Sequence, residues 1–140
     1  MTVVDTNILL DVLQDDQQWA AWSIDRLIEA RHGGELVINA IVVAELSRNY
    51  PALEALQQAL SPFELTVEAI DDEAAFIAGR RFVEARQGRA ADAPKRPLAD
   101  FFIGAHALAL GAGLLTRDPR LYRRYFPEIT LITPETHPHG

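Results

Sequence analysis

Thr2-Val3-Val4 is a β-branched apolar run, and Asp5-Thr6-Asn7 stops it with three small polar residues. A run this short, with no polar alternation, reads as a strand covered on both faces. Similar segments recur at Leu36-Val37-Ile38, Phe63–Val67, Leu114-Leu115-Thr116 and Ile129-Thr130-Leu131. Helical stretches separate them. Asn7 is a candidate cap for a short helix over Ile8–Leu13, and a longer helix is expected over about 16–31, ending at Gly33-Gly34. Asn39 caps a helix running to about Arg48, and Pro51 opens another near 52–60. Asp71, Asp72 and Glu73 start a long helix that ends in Arg86, Gln87 and Gly88, which suits the helix dipole. Leu98–Leu110 is almost wholly apolar and is expected to be a buried helix, and a short one follows over Pro119–Tyr125. Strands alternating with helices predict an α/β fold: a three-layer α/β/α sandwich around a mostly parallel sheet of four to five strands.

The remaining composition narrows the class. A chain of 140 residues with 49% hydrophobic content supports one domain, expected over residues 1–134, with a flexible tail at 135–140. The absence of cysteine excludes disulfides, thiolate metal sites and cysteine nucleophiles. No signal segment is expected, because Met1–Asn7 lacks a basic region followed by a long apolar stretch. Phe101–Leu115 is too short to span a bilayer, so a cytoplasmic location without membrane contact is expected. Net charge is −7, yet residues 80–124 carry ten basic side chains against four acids. Twelve of the thirteen basic residues are Arg, whose fork suits phosphate.

Ligands of an open parallel sheet bind at the carboxyl ends of its strands. Four acids map there. Asp5 ends the first strand, and Asp118 lies just past the fourth. Glu45 is in the second turn of the helix after the second strand. Asp100 is in the first turn of the helix entering the fourth. Each alone has an ordinary explanation as a turn residue, a first-turn acid or a surface acid. Together, set among apolar neighbours, they would repel one another unless a cation compensates. Oxygen-only ligands suit Mg²⁺, with Mn²⁺ as a possible substitute.

The Asp-Thr-Asn after the first strand, the Glu of Ile-Val-Val-Ala-Glu-Leu, the Asp of Leu-Ala-Asp-Phe-Phe-Ile-Gly-Ala-His-Ala and the Leu-Leu-Thr-Arg-Asp segment resemble the PIN-domain nucleases. The length and the last two segments are most similar to VapC-type toxins of toxin–antitoxin pairs. The resemblance covers essentially the whole chain. It implies a metal-dependent endoribonuclease with Asp5, Glu45, Asp100 and Asp118 as metal-binding catalytic acids. Thr6, Asn7 and Thr116 match the small polar positions that support them. It further implies RNA phosphodiesters cut by metal-activated water to 5′-phosphate and 3′-hydroxyl ends, an antitoxin partner and a homodimer. The loop Arg89–Pro97 is longer than is common in the family.

On this reading the cations nearest the acids hold the RNA backbone: Arg117 and Arg120 beside Asp118, then Lys95 and Arg96. Helical phasing of 16–31 makes Ala20, Ile24, Leu27 and Ile28 the core stripe. Trp22 then falls nearly opposite, with Trp19 beside the polar face, so the two are expected to mark an antitoxin or dimer contact. A phosphatase of the haloacid-dehalogenase kind needs an acid where Asn7 stands. It also needs a lysine near the phosphate, as a receiver domain does, and the only lysine is Lys95. The remaining alternative is a catalytically silent PIN module acting as a protein- or RNA-binding partner.

Overall fold

The computed structural model describes residues 1–87 and 98–139. Lys95, Arg96 and the loop Arg89–Pro97 lie outside the described residues. Five short strands form one sheet: β1 Thr2–Val4, β2 Leu36–Ile38, β3 Thr66–Val67, β4 Gly113–Leu115 and β5 Leu131–Ile132. Their order is β3-β2-β1-β4-β5, and every pair is parallel. Helices α1 Thr6–Leu13, α2 Ala20–Gly33, α3 Ala40–Leu46, α4 Leu53–Leu60, α5 Asp72–Gln87, α6 Leu98–Leu110 and α7 Arg120–Tyr125 flank it. The expected α/β/α architecture is present.

The three inner strands supply the centre of the core. Val3, Val4, Leu36, Val37, Ile38, Leu114 and Leu115 are all at most 1% exposed, as strands covered on both faces require. Chain direction across the sheet reverses between β1 and β4, and Val4 pairs with Leu115 there. The crevice at that reversal opens at the carboxyl ends of both strands, where Asp5 and Asp118 stand.

Several boundaries depart from expectation. Asp5, not Asn7, caps α1: its Oδ1 accepts from the Thr6 amide at 2.8 Å. The third strand is only Thr66–Val67, because Ser61–Phe63 forms a 3-10 turn and Glu64 takes a left-handed φ of 54°. The fifth begins at Leu131. The largest correction concerns α2. Asp16 accepts from the Gln18 and Trp19 amides, making a turn of the segment expected to be helix, and α2 starts at Ala20.

The buried side of α2 accordingly holds Ala20, Trp22, Ser23 and Leu27, while Ile24 and Ile28 are 40% and 51% exposed. Trp22 is 3% exposed, so it is not the surface anchor the phasing implied. Its indole N–H donates to the His137 carbonyl at 2.6 Å, and it meets Trp19 edge to face. His139 lies against Trp19, so residues expected to form a free tail cover the tryptophan pair. Ile24 and Ile28 instead line an apolar groove of about 490 Å³ with Val12, Leu13, Pro62 and Phe63.

Candidate active site

The four acids arrive on four different elements. Asp5 leaves β1, Glu45 sits in the last turn of α3, Asp100 in the first turn of α6, and Asp118 follows β4. All four line one cavity of about 240 Å³, with Thr6, Asn7, Leu10, Arg48, Leu121 and Tyr122 completing the wall.

Asp5 is at the centre and is 6% exposed. Its Oδ2 accepts from the Thr116 hydroxyl at 2.8 Å and from the Tyr122 hydroxyl at 3.2 Å. The Asn7 side-chain amide approaches the same oxygen at 3.4 Å. Burial pushes the Asp5 carboxyl above its usual range, and the charge of Glu45 adds to this; the Thr116, Thr6 and Tyr122 donors oppose it. Burial and the nearby carboxylates hold the Tyr122 phenol well above its ordinary value, so it remains a donor.

The three small polar residues tie the acids together. Thr6 donates from its hydroxyl to Glu45 Oε1 at 2.6 Å, linking α1 to α3. Thr116 donates to Asp5 and accepts from the Asp118 amide at 3.1 Å. Asn7 accepts from the Arg117 amide at 3.1 Å, which fixes the turn after β4.

Glu45 and Asp118 are both held by protein donors, Asp118 by Arg120 at 3.1 Å. As placed, no three His, Asp or Glu side chains among the described residues close on one point. The donor set nevertheless fits a hard divalent cation. It is all oxygen, it lines a single cavity, and its central carboxyl is desolvated beside a like charge. The Asp118–Arg120 pair is largely exposed, so it opens at little cost.

The cations expected to hold RNA are placed differently. Arg117 turns away from the cavity: its Nε pairs with Asp11 at 2.6 Å and its guanidinium lies 5.1 Å from the Trp19 ring centre. Asp11 is 3% exposed and also accepts from Ser23 at 2.7 Å, so Arg117 neutralises a buried acid. Arg120 is paired with Asp118. Two polar residues of the wall escaped notice in the sequence, Tyr122 and Arg48. Their only sequence signal was helical spacing, four residues after Asp118 and three after Glu45.

Comparisons with known proteins agree with this architecture. The chain is similar in structure to VapBC2 from Rickettsia felis bound to a promoter DNA fragment, at 22% identity and a TM-score of 0.72, covering 94% of this chain and 97% of that one. It is similar to DNA-bound VapBC from Salmonella typhimurium, at 24% identity and a TM-score of 0.67, covering 94% and 96%. It is also similar to FitAcB from Neisseria gonorrhoeae, at 20% identity and a TM-score of 0.64, covering 96% and 99%. These likenesses are of fold. Among curated proteins none matches the sequence. The PIN domain family model matches residues 2–127, almost the whole chain, and on that match the chain belongs to the PIN domain family.

Proposed function

We propose that this protein is a metal-dependent endoribonuclease and the toxin of a toxin–antitoxin pair. The observation that carries the reading is the convergence of Asp5, Glu45, Asp100 and Asp118 on one cavity at the reversal of the sheet. The PIN family match supports nuclease chemistry. The antitoxin partner is supported by the fold relatives, which include VapBC complexes and a toxin–antitoxin complex from Klebsiella pneumoniae.

The four acids would hold one or two Mg²⁺ ions, with Mn²⁺ as a substitute. When bound, Mg²⁺ supplies Lewis-acid activation of water and neutralises charge on the phosphate and the leaving oxygen. The protein's part is orientation. Thr116 and Tyr122 fix Oδ2 of Asp5, and the Thr6 amide fixes Oδ1. Thr6 sets the rotamer of Glu45, and Thr116 anchors the backbone that carries Asp118. No histidine is placed to act as a base: His106 is buried against Asn39, with Asn39 Nδ2 2.9 Å from His106 Nδ1. No helix among the described residues is long and apolar enough to cross a membrane, and a cytoplasmic location belongs to the same reading.

The test is cleavage of mixed RNA by purified protein with Mg²⁺, with EDTA, and with Asp100→Asn. Cleavage that needs the metal and is lost in the variant is expected. Mg²⁺ binding without cleavage of any RNA, and without growth arrest on expression, would replace the nuclease with a silent PIN module.

A further inference from the structure

We infer that Arg48 is the substrate-binding cation of this site, gripping a phosphate of the RNA backbone beside the one that is cut. This rests on the nuclease reading and deepens it.

Arg48 lines the cavity that holds the four acids, whereas Arg117 and Arg120 do not. It lies in the 3-10 turn Ser47–Asn49, which continues α3 directly after Leu46. That turn is well anchored. Leu46 is fully buried, the Ser47 hydroxyl donates to the Ala44 carbonyl at 2.7 Å, and the Tyr50 amide closes onto Ser47 at 3.2 Å. The backbone of Arg48 is therefore held while its side chain stays exposed.

Charge makes the second argument. Arg48 borders four carboxylates, yet it forms no ion pair with any described residue. Arg117 is consumed by Asp11 and Trp19, and Arg120 sits outside the cavity lining in an exposed pair with Asp118. An unconsumed guanidinium at the mouth of an acidic cavity has its full fork available for a bidentate phosphate contact.

Topology gives the contact a direction. α3 follows β2 and α7 follows β4, and these strands flank β1 on opposite sides. Arg48 thus stands on the β2 side of Asp5, and the Asp118–Arg120 pair on the β4 side. A single strand lying across the sheet edge would meet Arg48 on one flank of the scissile bond and Arg120 on the other.

The experiment compares Arg48→Ala, Arg48→Lys and Arg124→Ala, the last being an exposed cation stacked on Tyr125 outside the cavity. Steady-state cleavage is measured in the otherwise wild-type protein. Binding of a fluorescent single-stranded RNA is measured in the Asp100→Asn background with Mg²⁺. Arg48→Ala should raise KM and weaken binding roughly ten-fold, as loss of a charge-assisted contact does, with kcat nearly unchanged. Its log-log salt slope should fall by about 0.7, one phosphate contact on a single strand. Arg48→Lys should recover part of the binding, and Arg124→Ala should change nothing. Unchanged KM and binding in Arg48→Ala, while Asp100→Asn abolishes cleavage, overturns the inference and leaves the nuclease standing. If the wild type cleaves nothing, Arg48-dependent RNA binding upholds the phosphate contact and the nuclease reading fails. RNA binding indifferent to Arg48, or none at all, overturns the inference.

Discussion

Asp5 is the residue on which stability and function pull apart. Its carboxyl is buried and raised above its usual range by desolvation, with Glu45 adding to the effect. A carboxyl raised in the folded state favours folding while protonated. In EDTA, that contribution is present below the ordinary carboxylate pKa and is lost as pH rises through the folded value. Asp5→Asn keeps the cap on α1, since Asn caps as well as Asp, and removes the buried charge. It should therefore stabilise the metal-free protein at neutral pH by about 1–2 kcal/mol. Mg²⁺ should raise the melting temperature of the wild type and leave that of Asp5→Asn almost unmoved. Thermal melts in EDTA and in Mg²⁺ check both statements, and an Asp5→Asn protein that melts lower in EDTA would show that its contacts outweigh its burial. Arg117 carries the opposite lesson. Adjacency to Asp118 suggested a substrate contact, but sequence neighbours do not reveal where a long side chain points. Asp11 decides it, because a buried acid costs several kcal/mol unless a cation meets it.

Among the elements, α3 has the most demanding placement, because it carries Glu45 and leads into Arg48. Asn39 begins it. Its Oδ1 accepts from the Ile41 and Val42 amides at 3.0 and 3.2 Å, and its Nδ2 meets His106 Nδ1 on α6, the helix of Asp100. Asn39 and His106 thus join two helices that bear acids. Asn39→Ala should cost about 2 kcal/mol from the lost cap and an orphaned histidine nitrogen, read by urea unfolding. α6 also meets the C-terminal segment closely at Gly104, where a Cβ would stand 2.7 Å from the ring of fully buried Phe126. Gly104→Ala should destabilise by about 1–3 kcal/mol through overpacking, although the residue lies in a helix that alanine otherwise favours. Urea midpoints again decide, and a more stable Gly104→Ala protein would mean that the Phe126 ring yields freely.

The legibility of these elements varied for a physical reason. β1, β2 and α6 were plain in the sequence, since continuous apolar runs between turn residues have few other outcomes. The start and face of α2 were not. Apolar residues of that helix fit two phases, and side-chain hydrogen bonds chose between them. Asp16 delayed its start, while Ser23 to Asp11 and Trp22 to the His137 carbonyl turned the tryptophan inward. Two of these bonds bridge distant parts of the chain and have no local sequence pattern.

For the whole molecule, topology was readable and electrostatics was not. The four acids could be placed because Asp5 and Asp118 follow strand ends, Asp100 opens α6 and Glu45 rides on the short helix after β2, and parallel order sends those positions to one edge. The basic block at 80–124 promised an RNA-binding surface. Among the described residues of that block, Arg81 is paired with Glu128, Arg117 with Asp11, Arg120 with Asp118 and Arg123 with Glu135. Arg81 lowers the Glu128 carboxyl to about 2, which marks an ion pair and not a free phosphate site. A chain of net charge −7 with these four cations paired repels RNA at long range. Binding should then depend on a few contacts near the acids. Each contact on a single strand contributes about 0.7 to the log-log salt slope, so the whole slope should be shallow, about −1 to −2. Anisotropy titrations of Asp100→Asn with RNA between about 50 and 200 mM salt, at fixed Mg²⁺, measure it. A slope steeper than about −4 would show that the arginine block contacts the backbone after all, by exchanging its carboxylate partners for phosphates.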